Sequence, residues 1–239
     1  MKEVRLLMKM AGLSHVALVY MGLVTMVYLA TDGFRKNAPF VFTFPVVILG
    51  LVTLNTRMPL RKKIFTAASF FLVVSPAAKH LFLAAALYNW SVKPRQLELN
   101  AALICASHAC YLLSFIRAVK FWWRTLAIVT AFFTCFFFYY VFADLFRSLP
   151  TVVAVCCLTN AVIALSFVAA GSVWKKGSNI AYAETAAFSR FMGIFLLLLC
   201  DVALLSNQFA RHTQQITWYL NCIYYVSQYL LFTSNVRAF

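Results

Sequence analysis

One aspartate stands inside a long apolar run, Asp201, behind Leu196-Leu197-Leu198-Leu199-Cys200. Ionising a carboxyl group among hydrocarbon is costly, so such a residue either holds its proton or pairs with a donor from another helix. It can then serve as a general acid, as an ion or substrate ligand, or as a helix–helix hydrogen bond. His108 is the second candidate, in Ser107-His108-Ala109-Cys110-Tyr111, and Tyr111, three positions on, shares its helix face. A histidine bonded to a neighbouring helix is the structural reading of the same residue. Lys79 and His80 follow Pro76, and Lys79 can snorkel, act in catalysis or pair with Asp201 across a bundle. Asn221, Tyr225 and Gln228 recur at i, i+4 and i+7, which makes one polar stripe, suited to helix glue or to a pocket wall that meets glycerol or phosphate groups. His80, His108 and Asp201 lack metal-ligand spacing, and the seven cysteines include no CxxC pair. Neither a metal nor another cofactor is expected.

These residues must be positioned by apolar elements. Of 239 residues, 64% are hydrophobic and 11% charged, and the mean hydropathy is +0.84. The apolar runs predict spans near 11–31, 38–55, 64–90, 98–117, 122–143, 149–171, 186–206 and 214–234. Each is continuously apolar for about twenty residues, whereas a barrel strand would alternate over about ten. The expected fold class is all-α: a polytopic membrane helix bundle of about eight transmembrane helices, forming a single transmembrane domain over 1–239. Pro76 predicts tilt or a kink in the third span. The opening Met1-Lys2-Glu3-Val4-Arg5 leads into an apolar run too long for a signal peptide, with no convincing cleavage site, so it reads as the first helix.

The net charge is +15, from 21 Lys and Arg against 6 Asp and Glu. The basic residues cluster between spans, where they set topology and meet anionic lipid headgroups, and no basic stretch has the length or aromatic interleaving that nucleic acid would require. The N-terminus, the loops after the second, fourth and sixth spans, and the C-terminus carry thirteen of them, Arg57, Arg61, Lys62 and Lys63 among these; the opposite loops carry six. The positive-inside rule therefore puts both termini, and the anionic-lipid contacts, on the cytoplasmic side. Lys79 and Arg190 are the two that lie within spans. Trp90, Trp122, Trp123, Trp174 and Trp218 fall near span ends, as an aromatic belt would place them. This is an integral, multi-pass protein of a bacterial inner membrane or of the endoplasmic reticulum, with a homodimer left open.

Several segments resemble the YhhN family of lysoplasmalogenase-like membrane proteins. Gly193-x7-Asp201 followed by Asn207-x-Phe209 is similar to the family's second aspartate motif, with Cys200 where serine is usual. Tyr224-Tyr225-Val226-Ser227-Gln228 is similar to its closing Tyr-Tyr-x-Ala-Gln segment, Ser107-His108-Ala109-Cys110-Tyr111 to its His-x-x-Tyr helix, and Lys93-Pro94-Arg95-Gln96 to a Pro-Arg-Gln seen in some members. Phe42-Thr43-Phe44-Pro45 resembles the family's Phe-x-Lys-Pro, with Phe44 in place of the lysine. The Gly-Asp motif of the third span is missing. Counting from Pro45 puts Lys79 at the lost aspartate, and counting back from His108 puts the site near Leu87 to Asn89.

The resemblance implies hydrolysis of the vinyl ether of lysoplasmalogens, lysophospholipids of the membrane, to a fatty aldehyde and a glycerophospho-headgroup. Vinyl ethers break by protonation of the alkenyl carbon to an oxocarbenium ion that water captures, so a site needs a protonated acid and a group that guides water. On this reading Asp201 is the acid and His108 or Asn207 positions water or substrate, with Tyr111, Asn221, Tyr225, Gln228 and Lys79 against the lysolipid. The alternative is a non-catalytic lipid-binding or transport protein of the same fold, in which Lys79 replaces the lost acid and neutralises Asp201.

Overall fold

The computed structural model describes residues 2–36, 38–74, 94–177, 183–209 and 217–237. Lys79 and His80, the second part of the span expected over 64–90, and the Lys79–Asp201 pairing therefore lie outside the described residues. Among the described residues there are eight α-helices and no strand: α1 (Lys2–Ala30), α2 (Pro39–Asn55), α3 (Leu60–Val74), α4 (Pro94–Phe115), α5 (Arg124–Phe142), α6 (Pro150–Lys176), α7 (Ala183–Phe209) and α8 (Thr217–Arg237). Proline opens α2, α4 and α6, where its missing N–H would have had no helical partner anyway. Gly177, at φ +78°, ends α6 in a backbone conformation that a side chain would resist.

Five of these helices, α1, α4, α5, α6 and α7, contain stretches long and apolar enough to cross a membrane, and α2 is a shorter apolar helix. The protein is a multi-pass membrane protein. α1 and α5 leave most of their apolar side chains outside the bundle, with Leu18, Met26, Ile128, Phe132 and Phe136 all more than half exposed. Such a belt is stable against acyl chains and would aggregate in water.

The other six described helices pack neighbour to neighbour in the cyclic order α2, α3, α4, α6, α7, α8, and α8 returns to α2. α1 lies against α2 and α8, and α5 against α6 and α7. The ring is tied by side chains reaching backbone carbonyls. Ser107 on α4 donates to the carbonyl of Ser69 on α3 at 2.7 Å, Tyr225 on α8 donates to that of Phe42 on α2 at 2.8 Å, and Tyr20 on α1 donates to that of Tyr225 at 2.8 Å. After α1 the chain turns through Asp32, Gly33 and Phe34, all at positive φ. That costs a non-glycine residue about 1–2 kcal/mol; it is offset by seating the Phe34 ring, 1% exposed, between Tyr28, Phe42 and Tyr225.

α7 and α8 form the tightest pair. A Cβ on Gly193 would come within 2.9 Å of Leu231 Cδ2 and 3.1 Å of Leu230 Cβ, so only glycine permits this approach. Gly193→Leu should push the two helices apart and cost about 1–3 kcal/mol. A thermal melt in detergent checks this: a lowered Tm is expected, and an unchanged one would contradict the close packing.

Candidate active site

Two polar residues named from sequence meet across the ring. His108 on α4 and Asp201 on α7 approach to 3.5 Å, Nε2 to Oδ2, with side chains 7% and 20% exposed. Neither atom has a hydrogen-bond partner among the described residues. A complementary donor–acceptor pair, buried and left just short of bonding distance, is an arrangement expected of a site whose bonds tighten when ligand or water arrives. One proton between them gives either a neutral Asp–His pair or an Asp⁻–His⁺ ion pair. Both are net neutral, which limits the cost of keeping them in an apolar bundle.

Local sequence explains why the two meet. His108 follows Ser107, whose hydroxyl fixes α4 against α3, and Ala101, Ala109 and the other small residues of α4 let the helix lie close to its neighbours. Asp201 follows Cys200, which is fully buried with its thiol 3.7 Å from the carbonyl of Leu220 on α8. With Cys200 turned to α8, the next residue along is rotated by about 100°, toward α4 and α6.

Asp201 also lines a cleft between α4, α6 and α7, with Ala101, Ile104, Cys156, Thr159, Asn160, Leu204 and Leu205. The cleft has room for roughly two ordered waters beside the carboxyl group. Its polar wall is Thr159, whose hydroxyl donates to the carbonyl of Val155 at 2.8 Å and keeps acceptor capacity, and Asn160, whose amide donates to Cys156 at 3.3 Å. Sequence reasoning missed both. The available signal was a Thr-Asn pair in the middle of α6, where every neighbour from Val152 to Leu158 is apolar or cysteine.

The remaining sequence candidates are dispersed. Tyr111 is buried one turn from His108, but its hydroxyl lies 3.0 Å from Ser234 Oγ and 3.4 Å from the carbonyl of Leu231, toward the C-terminal end of α8. Tyr225 commits its hydroxyl to Phe42, while the adjacent Tyr224 is the one of the two that faces Cys200 and Asp201. Asn221 and Gln228 are buried on α8, and Asn207 is buried on α7 less than two turns beyond Asp201. The polar stripe is thus an inward face of α8, as its spacing predicted, with Tyr225 holding α2. Among the described residues no group of three His, Cys, Asp or Glu side chains is placed to hold a metal ion.

A multi-pass helical bundle with a buried Asp–His couple, whose aspartate lines a small cleft, is the class of protein that fold and site define. The sequence profile of the YhhN family matches residues 37–235, and the chain belongs to the YhhN family. The match runs from the segment before α2 to the last turns of α8 and includes both His108 and Asp201. Comparison with curated proteins and with solved structures gave no match.

If His108 and Asp201 hold one another, the energetic effects of replacing them must be coupled. Each of His108→Gln and Asp201→Asn should lower Tm, and the double variant should lose less than the sum, by about 1–3 kcal/mol. Strictly additive losses would show that the two side chains do not interact.

Proposed function

We propose that this protein hydrolyses the vinyl ether bond of lysoplasmalogens, with Asp201 as acid and His108 as its proton-accepting partner. The observation that carries the reading is the 3.5 Å approach of Asp201 Oδ2 to His108 Nε2 beside a cleft, neither atom otherwise bonded among the described residues. The substrate class is the one that resemblance to lysoplasmalogenase-like membrane proteins implies, and membership of the YhhN family supports it.

The reaction needs one proton on carbon and one taken from water. Asp201 gives its proton to the alkenyl carbon distal to the ether oxygen, and the positive charge that develops is spread over the adjacent carbon and oxygen. The new carboxylate stabilises that oxocarbenium ion at short range in an apolar surround, where such an interaction is strong. Water then attacks the cationic carbon, and neutral His108 takes a proton from it, with Thr159 and Asn160 lining the space that water occupies. The resulting hemiacetal collapses to the fatty aldehyde and the glycerol hydroxyl. Transfer of the proton from imidazolium to carboxylate, across the same 3.5 Å gap, restores the starting pair. A second carboxylate is not required, because the histidine does the accepting. The reading therefore accommodates the missing Gly-Asp motif of the third span.

Purified protein should release aldehyde from 1-alkenyl-lysophosphatidylethanolamine. Asp201→Asn should lower kcat by about 10²–10⁴, and His108→Gln by about 10²–10³, with little change in KM. Turnover that survives Asp201→Asn would remove this carboxyl as the acid. No turnover from wild-type protein with a cooperative melt would remove the hydrolase reading.

A further inference from the structure

A second set of buried polar side chains stands apart from Asp201. Arg190 lies on α7 eleven residues before it, which is about 16 Å along the helix. Its side chain is 3% exposed, and its Nη2 donates to Asn235 Oδ1 at 3.1 Å and, more weakly, to the carbonyl of Ser234 at 3.4 Å. The guanidinium is seated over the Phe115 ring, 4.7 Å from its centre. Its Nε–H has no hydrogen-bond partner among the described residues, and the one ion pair found among them is that of His108 with Asp201. A buried arginine with an unused donor and no carboxylate among the described residues is costly to keep unless an anion joins it.

The surroundings extend this arginine toward the surface. Asn235, fully buried, donates through Nδ2 to Thr66 Oγ1 at 2.9 Å, so Thr66 keeps its own hydroxyl proton to give. Lys62 lies one turn from Thr66 on the same face of α3, in the basic segment ahead of the apolar span, and is half-buried. Burial, and then the charge of Arg190, bring the Lys62 ammonium down to about 7. Arg190 is thus linked through Asn235 and Thr66 to the helix turn that carries Lys62, at the end of the bundle where α8 finishes and α3 begins.

We propose that Arg190, Thr66 and Lys62 form a phosphate-binding site at this basic end of the bundle, separate from the Asp201 centre, for the phosphate of a phospholipid headgroup or for free inorganic phosphate. Phosphate matches the set because it accepts several charge-assisted hydrogen bonds at once, one of them from the unused Arg190 Nε–H, and brings negative charge to the buried guanidinium. The separation from Asp201 exceeds the few bonds between a vinyl ether and the phosphate of the same lysolipid, so one substrate molecule does not fill both sites. The inference stands whether or not the protein is a hydrolase.

The test uses the full chain in phosphate-free detergent, titrated separately with dioctanoyl phosphatidic acid, dioctanoylglycerol and inorganic phosphate, and followed by thermal melting and native mass spectrometry. Phosphatidic acid is expected to raise Tm and appear as an adduct, and dioctanoylglycerol is not. A response to inorganic phosphate of equal size identifies the free ion as sufficient, and a response to the lipid alone identifies a headgroup. Lys62→Gln and Arg190→Gln should each weaken binding about tenfold or more, and Asp201→Asn should leave it unchanged. Lys62→Gln guards against misfolding of the arginine variant, because Lys62 is only half-buried. No response to either phosphate from cooperatively melting protein, wild-type binding by Lys62→Gln, or loss of binding in Asp201→Asn would each overturn the proposal.

Discussion

Polar side chains inside an apolar bundle must find partners on other helices, and this requirement organises the structure. Nothing in the acyl region replaces a missing hydrogen bond, so each buried hydroxyl, amide or charge fixes the rotation and depth of the helix that carries it. Asp201 is the most demanding case. Facing it with His108 sets α7 against α4, while Cys200 and Gly193 on the same helix draw α7 onto α8. The same logic at other levels gives Tyr225 to α2, Tyr111 to α8 and Ser107 to α3.

The consequence is a bundle with polar groups at two depths. One is the Asp201–His108 couple, bordered by Thr159, Asn160 and an otherwise apolar cleft. The other is the Arg190–Asn235–Thr66 chain nearer the ends of α8 and α3. The two depths differ in charge as well. At the first, a carboxylic acid faces a neutral imidazole, or a carboxylate faces an imidazolium, and the sum is zero. At the second, the Arg190 guanidinium has an unused donor and no carboxylate beside it among the described residues.

Much of this was legible in sequence. Continuous apolarity over about twenty residues located the helices, because a run of that length must be buried or meet acyl chains. Several helices outrun their apolar runs, α1 starting at Lys2 rather than near residue 11 and α6 continuing to Lys176 rather than ending near 171, since a helix can continue through basic residues that an apolar-run criterion excludes. Asp201 and His108 stood out individually as costly groups in apolar runs. Their pairing did not, because a separation of 93 positions carries no spacing rule, and Lys79 offered the more obvious opposite charge. Likewise the repeat of Asn221, Tyr225 and Gln228 identified an inward face, but which of Tyr224 and Tyr225 stands near Asp201 depends on the rotation of α8 against α7. Arg190 was visible as a charge within a span, yet its role depended on Asn235 and Thr66 arriving from distant parts of the chain.

The chemical account depends on a proton moving from Asp201 to carbon. The most direct measurement is therefore a single turnover of alkenyl lysolipid in D2O by wild-type and Asp201→Asn protein, with the aldehyde trapped as it forms and analysed by mass spectrometry. Wild-type protein should give an aldehyde with one deuterium at the carbon next to the carbonyl, more slowly than in H2O, and the variant should give essentially none. Aldehyde formed by the variant at the wild-type rate, or wild-type product without that deuterium, would contradict the account.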